Sequence, residues 1–114
     1  MSTQSTKILR MAFCLLLLLT SGYASNAVAA NDTGADLYKT KCAACHGADG
    51  KGATAVGKAD GIRDLGSAGV QGQNDGALTT IIASGKGKMP AYGKSLKPEQ
   101  IASLVAYIRT LATK

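Results

Sequence analysis

Cys42-Ala43-Ala44-Cys45-His46 contains two of the three cysteines and the only histidine of this 114-residue chain. Cys-x-x-Cys-His is the attachment motif of c-type heme, in which two thioethers hold the porphyrin and the imidazole binds the iron. On a helix, Cys42 and Cys45 lie three residues apart on one face, and His46 follows on the same side. We therefore predict one heme c, bound covalently through Cys42 and Cys45, with His46 as an iron ligand.

A redox-active disulfide is the alternative for the same two cysteines, since an oxidising compartment would permit one. That kind of site requires a strand before the motif and a βαβ pattern around it. No β-branched run precedes Cys42, and the upstream segment is helical in character. The histidine directly after Cys45 favours heme attachment.

The first 30 residues have the three-part layout of a secretory signal peptide. Lys7 and Arg10 supply positive charge, residues 11–19 form a continuous apolar run, and residues 28–30 offer a small-residue cleavage site. Cys14 lies within the apolar run, and we interpret it as a small hydrophobe of the leader. An uncleaved membrane anchor is the alternative, but the run is shorter than the roughly 20 apolar residues that span a bilayer.

We accordingly predict a signal peptide at 1–30, export to the periplasm, and one domain at 31–114. Without Lys7 and Arg10 the chain keeps 11 Lys and Arg against 7 Asp and Glu, a net charge of +4 before any heme propionate is counted. This surplus is too small, and too free of interleaved aromatic residues, to indicate nucleic-acid binding. We expect a monomer with no membrane span after cleavage, whose redox partners carry acidic docking surfaces.

Apolar spacing and capping residues predict helices at 34–45, at 76–84 and from Pro98 onwards. The first helix places the two motif cysteines at its C-terminal end. The last has apolar residues at helical spacing: Ile101, Leu104, Val105, Ile108 and Leu111. Pro98 suits the first helical position and makes Lys97 the N-cap, a poor residue for that role.

Residues 47–76 are rich in glycine and poor in large apolar residues. Because a long loop in a small domain usually has a role such as covering a ligand, we predict an irregular loop over one edge of the heme. Ile62, Leu65 and Val70 are its expected anchors. The predicted fold is all-α, with about three to four helices wrapped around one covalently bound heme.

The second iron ligand follows from the few candidates in the predicted domain. There is no second histidine, and Met89 is the only methionine after residue 30. A neutral thioether is a good ligand for heme iron, and Pro90 favours extended backbone at Met89, so that its side chain can project across a surface. We predict His46 and Met89 as the metal ligands. A gap-filling core methionine, a lysine ligand and an open site are the alternatives.

Together these features resemble the class I c-type cytochromes, from about Gly34 to Leu111. Gly34, the aromatic Tyr38 four residues later, and Tyr107 match the residues with which the first and last helices of that family pack together. The resemblance implies a small all-α fold around one low-spin heme, and the shuttling of single electrons in the periplasm.

Two departures from the family pattern carry predictions. No proline lies between His46 and Pro90 to offer a carbonyl to the histidine ring, so we predict that a backbone carbonyl within 57–63 accepts the free ring N–H. There is no tryptophan to bond a heme propionate, and we assign that role to Arg63. An exposed charge is the alternative for Arg63.

Ligation by both His46 and Met89 leaves no vacant position on the iron, which indicates an electron-transfer protein rather than an enzyme. Lysines beside the motif and beside Met89 predict a positive rim that steers acidic redox partners: Lys39, Lys41, Lys86 and Lys88. A peroxidase-like or gas-binding heme protein with an open sixth site is one alternative. The heme subunit of a periplasmic dehydrogenase is another.

Overall fold

The computed structural model describes residues 33–113, and within them the secondary structure is helical, with no β-strand. The helices are α1 (Gly34–Lys41), α2 (Ala43–His46), α3 (Ala55–Asp60), α4 (Ala68–Gln71), α5 (Asp75–Ser84) and α6 (Pro98–Thr110). The all-α prediction is confirmed, with six helices in this range instead of three to four. The predicted signal peptide lies outside the described residues. No helix within residues 33–113 is long and apolar enough to cross a membrane.

The prediction of one helix from Gly34 through Cys45 is wrong at its end, because the helix is interrupted at Cys42. In a continuous helix the Lys41 carbonyl would accept from the backbone N–H of Cys45. That N–H instead donates to the Cys42 carbonyl at 3.1 Å, and the Lys41 carbonyl accepts from the Tyr92 hydroxyl at 3.0 Å. Cys42 therefore lies at the junction of α1 and α2, and Cys45 lies inside α2.

The predicted irregular loop at 47–76 contains two short helices, α3 and α4. Thr54 begins α3, since its hydroxyl accepts from the backbone N–H of Gly57 at 2.9 Å. Gly61 ends α3 in the left-handed conformation, with φ of 62°, which glycine adopts without the cost that a Cβ imposes. The capping signals of α3 were present in the sequence but were obscured by the number of glycines around them.

The two later helices agree closely with prediction. Asn74 caps α5 through its side chain, which accepts from the backbone N–H of Ala77 at 2.8 Å, and α5 begins one residue earlier than expected. Pro98 opens α6, and the Lys97 side chain makes no capping hydrogen bond. The Gln100 side chain accepts from the Lys97 backbone N–H at 2.9 Å, which satisfies one of the free donors at this end.

The core forms where α1 crosses α6, and α5 and the α4 region pack beside this pair. The Tyr38 and Tyr107 rings lie 5.0 Å apart between centroids, tilted by 47°, and Gly34 contacts the backbone of Ser103. The predicted packing of Gly34, Tyr38 and Tyr107 is therefore confirmed. The buried apolar residues are Leu37, Tyr38, Val70, Leu78, Ile82, Leu96, Ile101, Leu104, Val105 and Ile108.

Arg109 fixes the end of α6 to the chain between α4 and α5. Its guanidinium donates to the Gln71 carbonyl at 2.8 Å and forms an ion pair with Asp75 at 2.7 Å. The Gln71 side chain in turn donates to the Ile108 carbonyl at 3.0 Å. These contacts hold the short helices against α6 in a part of the fold that has few large apolar residues.

Candidate functional site

One cavity of about 490 Å³ lies between the helices, and it brings together all four predicted site residues. Cys42, Cys45, His46 and Met89 line it, although Met89 is more than 40 residues from the others in sequence. The volume is in the range of cofactor and ligand sites, which are typically about 300–1,000 Å³. The remaining wall is largely apolar, with Leu78, Ile81, Ile82, Leu104 and Ile108 among its residues.

The predicted anchors of the glycine-rich segment also face this cavity. Ile62, Leu65 and Val70 all line it, and the Val70 side chain is buried. This confirms that residues 47–76 form one wall of the site, even though the segment is partly helical.

The carbonyl groups at the end of the heme-attachment motif are all held by hydrogen bonds. Thr54 donates its hydroxyl to the Cys45 carbonyl, the Gly52 backbone N–H donates to the His46 carbonyl, and the Tyr38 hydroxyl donates to the Gly47 carbonyl, each at 2.7 Å. Since α2 is a single turn, its last carbonyls find no backbone N–H donor within the helix. The surrounding chain satisfies them and so fixes the backbone that carries Cys45 and His46.

Gly57 permits this arrangement because it packs directly on the motif backbone. A Cβ atom at Gly57 would lie 2.2 Å from the Gly52 carbonyl oxygen and 2.7 Å from that of Cys45. Both atoms belong to the backbone and cannot rotate away. Only glycine therefore lets α3 approach the motif so closely.

Burial shapes the acid–base properties of the motif. It raises the pKa of the Cys42 thiol above its ordinary value, although the nearby Lys41 charge opposes this effect. It lowers the pKa of His46, so the imidazole is held in the neutral form that binds metals. Both cysteines are half-buried at the cavity wall, where their sulfur atoms are accessible to a porphyrin.

The predicted carbonyl partner of the His46 ring is wrong. The Nδ1 atom of His46 is buried and has no hydrogen-bond partner among the described residues. The Gly57 carbonyl, which begins the predicted segment, accepts instead from the backbone N–H groups of Gly61 and Ile62. A buried polar atom without a partner is uncommon, and here it belongs to the one imidazole that lines the cavity.

Met89 stands at the end of a tight turn. The backbones of Lys86 and Met89 pair through two hydrogen bonds, of 3.3 and 3.0 Å, and Gly87 turns the chain between them with φ of 58°. Gly85 also has a positive φ, of 73°, and a Cβ atom on it would lie 2.6 Å from the Met89 carbonyl oxygen. The turn presents a half-buried Met89 to the cavity, so Met89 is not an enclosed core residue.

The predicted lysine rim is only partly confirmed. Lys41, Lys86 and Lys88 line the cavity, whereas Lys39 does not and lies along a separate groove beside α1. The charge of Lys88 is also compensated, because its Nζ lies 2.5 Å from Oδ1 of Asp60. Lys41 lines the groove beside α1 as well, and its place at the end of α1, directly before the motif, brings it to the cavity that Lys39 does not reach.

Arg63 is exposed and lines the cavity, so its location is compatible with both of the roles considered for it, a propionate contact and an exposed charge.

Three site residues were missed in the sequence: Thr54, Asp60 and Tyr92. Thr54 had a detectable signal, since threonine is a favoured residue at the N-cap, the position directly before the first residue of a helix. Asp60 and Tyr92 had none, because their roles come from contacts between distant parts of the chain.

The donor set fits a c-type heme: two thiols at the attachment spacing, a neutral imidazole and a thioether around one apolar cavity. A family model described as cytochrome c oxidase, cbb3-type, subunit III matches residues 29–108, which is most of the chain. The chain belongs to the class I c-type cytochromes. The cofactor of this cytochrome is covalently bound heme c.

Named relatives fall into two groups. A cytochrome c6 of Nostoc sp. is 34% identical over 103 residues, which cover 90% of this cytochrome and 90% of the relative. The cbb3-type oxidase subunit FixP of Azorhizobium caulinodans is 35% identical over 95 residues, but the match spans only 30% of that subunit. Among solved structures, the KustC0563 c-type cytochrome aligns with a TM-score of 0.67 and 30% identity, over 71% of this cytochrome and 99% of that chain.

Proposed function

We propose that this cytochrome carries single electrons between redox proteins of the periplasm, with His46 and Met89 as the two ligands of the heme iron. The observation that carries the proposal is the apolar cavity of about 490 Å³, which both of these residues and both motif cysteines line. The similarity to cytochrome c6 along nearly the full length of that relative supports a small, self-contained heme domain.

The chain's own residues have distinct roles in this function. Cys42 and Cys45 attach the group through thioethers, and the neutral imidazole of His46 and the thioether of Met89 ligate its iron. When bound, heme c supplies an iron that accepts and releases one electron. The apolar wall excludes water, and methionine ligation raises the reduction potential relative to two nitrogen ligands.

Ligation of the iron by two residues of the protein would distinguish a carrier from an enzyme or a gas-binding protein. With His46 and Met89 both in place, carbon monoxide has no vacant position, and the reduced protein is expected not to bind it at neutral pH. Met89→Ala opens that position and should bind carbon monoxide readily. Immediate binding by the unaltered protein would instead support the peroxidase-like or gas-binding alternative.

Membership of a larger redox complex is the second candidate, and the match to an oxidase subunit favours it. Relatives of this kind are between three and four times as long as the matched segment, which covers 30% and 27% of two of them. Purification of the native protein under mild conditions separates the two functions. A carrier is recovered alone, whereas a subunit of an oxidase or a dehydrogenase co-purifies with larger polypeptides at fixed stoichiometry.

The lysines at the rim of the cavity favour redox partners with acidic docking surfaces. Lys41 and Lys86 are exposed, line the cavity and have no ion pair among the described residues, and opposite charges on a partner would speed encounter. Electron transfer to an acidic partner should therefore slow as salt is added. Lys86→Gln should reduce both the rate at low salt and its salt dependence, and a rate unaffected by salt would remove the steering role.

Export and cleavage near residue 30 complete the proposal. The mass of the denatured mature protein tests them together with the cofactor. We expect a chain beginning at about Asn31 with one heme attached covalently. A full-length chain, or a mass without heme, would contradict the processing or the attachment respectively.

A further inference from the structure

The segment that carries Met89 is fastened to the chain on both sides of that residue. Near its start, Lys88 forms an ion pair with Asp60, with 2.5 Å between Nζ and Oδ1. Near its end, the Tyr92 hydroxyl donates to the Lys41 carbonyl at 3.0 Å. The two partners lie 28 and 51 residues away in sequence, so each contact joins parts of the chain that meet only through the fold.

Both contacts lead to the part of the chain that holds His46. Lys41 immediately precedes the motif, at the junction of α1 and α2. Asp60 is the last residue of α3, and α3 is bonded to the motif through Thr54, whose hydroxyl donates to the Cys45 carbonyl. The Met89 segment is thus connected to the histidine side of the cavity by one route through α3 and another through α1.

We propose that Asp60 and Tyr92 are positioning residues, which hold Met89 in place as an iron ligand by tying its segment across the cavity. This inference rests on the proposed role of Met89. Asp60 acts through Lys88, and Tyr92 through the backbone that it shares with Met89.

The stiffness of the turn makes these ties effective. The backbones of Lys86 and Met89 are paired with each other, and the residues after Pro90 are bonded to α5, because the Tyr92 N–H donates to the Ile82 carbonyl at 3.0 Å. Displacement of the Met89 backbone therefore requires the turn to move as a unit. Such a movement stretches the Lys88–Asp60 pair, and the intact pair raises the effective concentration of the thioether at the iron.

The two ties differ in their response to salt. The Lys88 side chain is 76% exposed and that of Asp60 is 20% exposed, so their attraction is weakened by dissolved ions. The Tyr92 hydrogen bond joins two uncharged groups and is not screened in this way. Retention of Met89 should consequently have one part that depends on ionic strength and one that does not.

Competition by imidazole for the position of Met89 on the oxidised holoprotein tests the ion pair. In Asp60→Asn and in Lys88→Gln, we expect imidazole to bind about two- to fivefold more tightly, the change expected on losing one partly exposed ion pair. The double variant should show no further gain, since the two residues act as one unit. At 0.5 M salt the difference from the unaltered protein should largely disappear.

Lys94→Gln is the matched control, because Lys94 is exposed in the same segment and does not line the cavity. It removes the same charge and should leave imidazole affinity unchanged. Tyr92→Phe should raise the affinity by a factor that persists at high salt. If Asp60→Asn and Lys88→Gln bind imidazole no better than Lys94→Gln, the positioning role of Asp60 is overturned, and equal affinity in Tyr92→Phe and the unaltered protein overturns that of Tyr92.

The weak absorption band that sulfur ligation gives to oxidised heme separates this inference from the function on which it rests. If the band is present in the unaltered protein but imidazole affinity is insensitive to these variants, only the positioning role fails. If the band is absent from the unaltered protein, Met89 is not the ligand and both proposals fail.

Discussion

A Cβ atom on Gly34 would lie 2.0 Å from the carbonyl oxygen of Ser103, so α1 and α6 meet at backbone contact. The Ser103 oxygen cannot rotate away, and relief would require the two helices to separate. We predict that Gly34→Ala lowers the free energy of unfolding by about 2 kcal/mol, within the usual cost of overpacking. Urea denaturation of the holoprotein measures this change.

Gly69→Ala is the control for Gly34→Ala. Gly69 lies in α4, and a Cβ atom there would meet nothing within 4 Å. Alanine should stabilise this helical position by about 0.5–1 kcal/mol. An unchanged denaturation midpoint in Gly34→Ala would contradict the close crossing of α1 and α6.

Tyr38 links the helix crossing to the heme-attachment motif, because its buried hydroxyl donates to the Gly47 carbonyl at 2.7 Å. Tyr38→Phe keeps the ring and removes the hydrogen bond, which should cost about 1 kcal/mol of unfolding free energy at pH 8.

The pKa of Tyr38 is raised well above its ordinary value of 10.0, and burial is the chief cause. Above pH 10 the unfolded chain therefore loses the Tyr38 proton more readily than the folded protein does.

The sign of the pH effect follows from this difference. The stability that depends on protonated Tyr38 is complete below pH 10 and falls as the pH rises towards the higher value of the folded state. By pH 11 the unaltered protein should have lost about 1.4 kcal/mol relative to Tyr38→Phe. The deficit of the variant at pH 8 should thus vanish at pH 11. If the stability deficit of Tyr38→Phe stayed constant between these two pH values, burial would not raise the pKa of Tyr38.

Thr54 both begins α3 and binds the motif backbone. Its hydroxyl accepts from the Gly57 N–H at 2.9 Å and donates to the Cys45 carbonyl at 2.7 Å. Thr54→Val has nearly the same shape but lacks both bonds, and we predict a loss of about 1–2 kcal/mol in urea denaturation. Thr54→Ser retains the hydroxyl and should lose much less. Valine retains the methyl group of threonine and lacks only its hydroxyl, so a loss in Thr54→Val no larger than that in Thr54→Ser would contradict the capping role of the hydroxyl.

Lys97 is a weak point of the fold, since it occupies the N-cap of α6 without a capping hydrogen bond from its side chain. Its backbone is extended, with φ of −70° and ψ of 155°, which a threonine cap adopts readily. Lys97→Thr should stabilise the protein by about 1 kcal/mol. Lys97→Ala removes the same charge without adding a cap and should have little effect. A midpoint that falls in Lys97→Thr would be inconsistent with the start of α6 at Pro98.

Local signals were sufficient for the motif, the last helix and the four predicted site residues that line the cavity. Cys42, Cys45 and His46 were predicted from the fixed spacing that covalent attachment demands, and Met89 because it is the only methionine after residue 30 and the sequence has no second histidine. Pro98 and the spacing of apolar residues marked α6. These features depend on neighbouring residues alone, and the sequence displays them directly.

Features that depend on distant contacts could not be predicted in the same way. The break at Cys42 arises because Tyr92, 51 residues from Lys41, takes the carbonyl that a continuous helix would use. Lys88 was assigned to a positive rim, but its partner Asp60 lies 28 residues away. No backbone carbonyl within 57–63 accepts from the His46 ring, and that of Gly57 accepts instead from the backbone N–H groups of Gly61 and Ile62.

The oxidised visible spectrum of the holoprotein, recorded beside that of Met89→Ala, tests the ligation of the iron by His46 and Met89 most directly. We predict low-spin bands with a weak sulfur-to-iron band in the unaltered protein, and the loss of that weak band in the variant. A high-spin spectrum of the unaltered protein, or a sulfur band that survives Met89→Ala, would contradict the assignment.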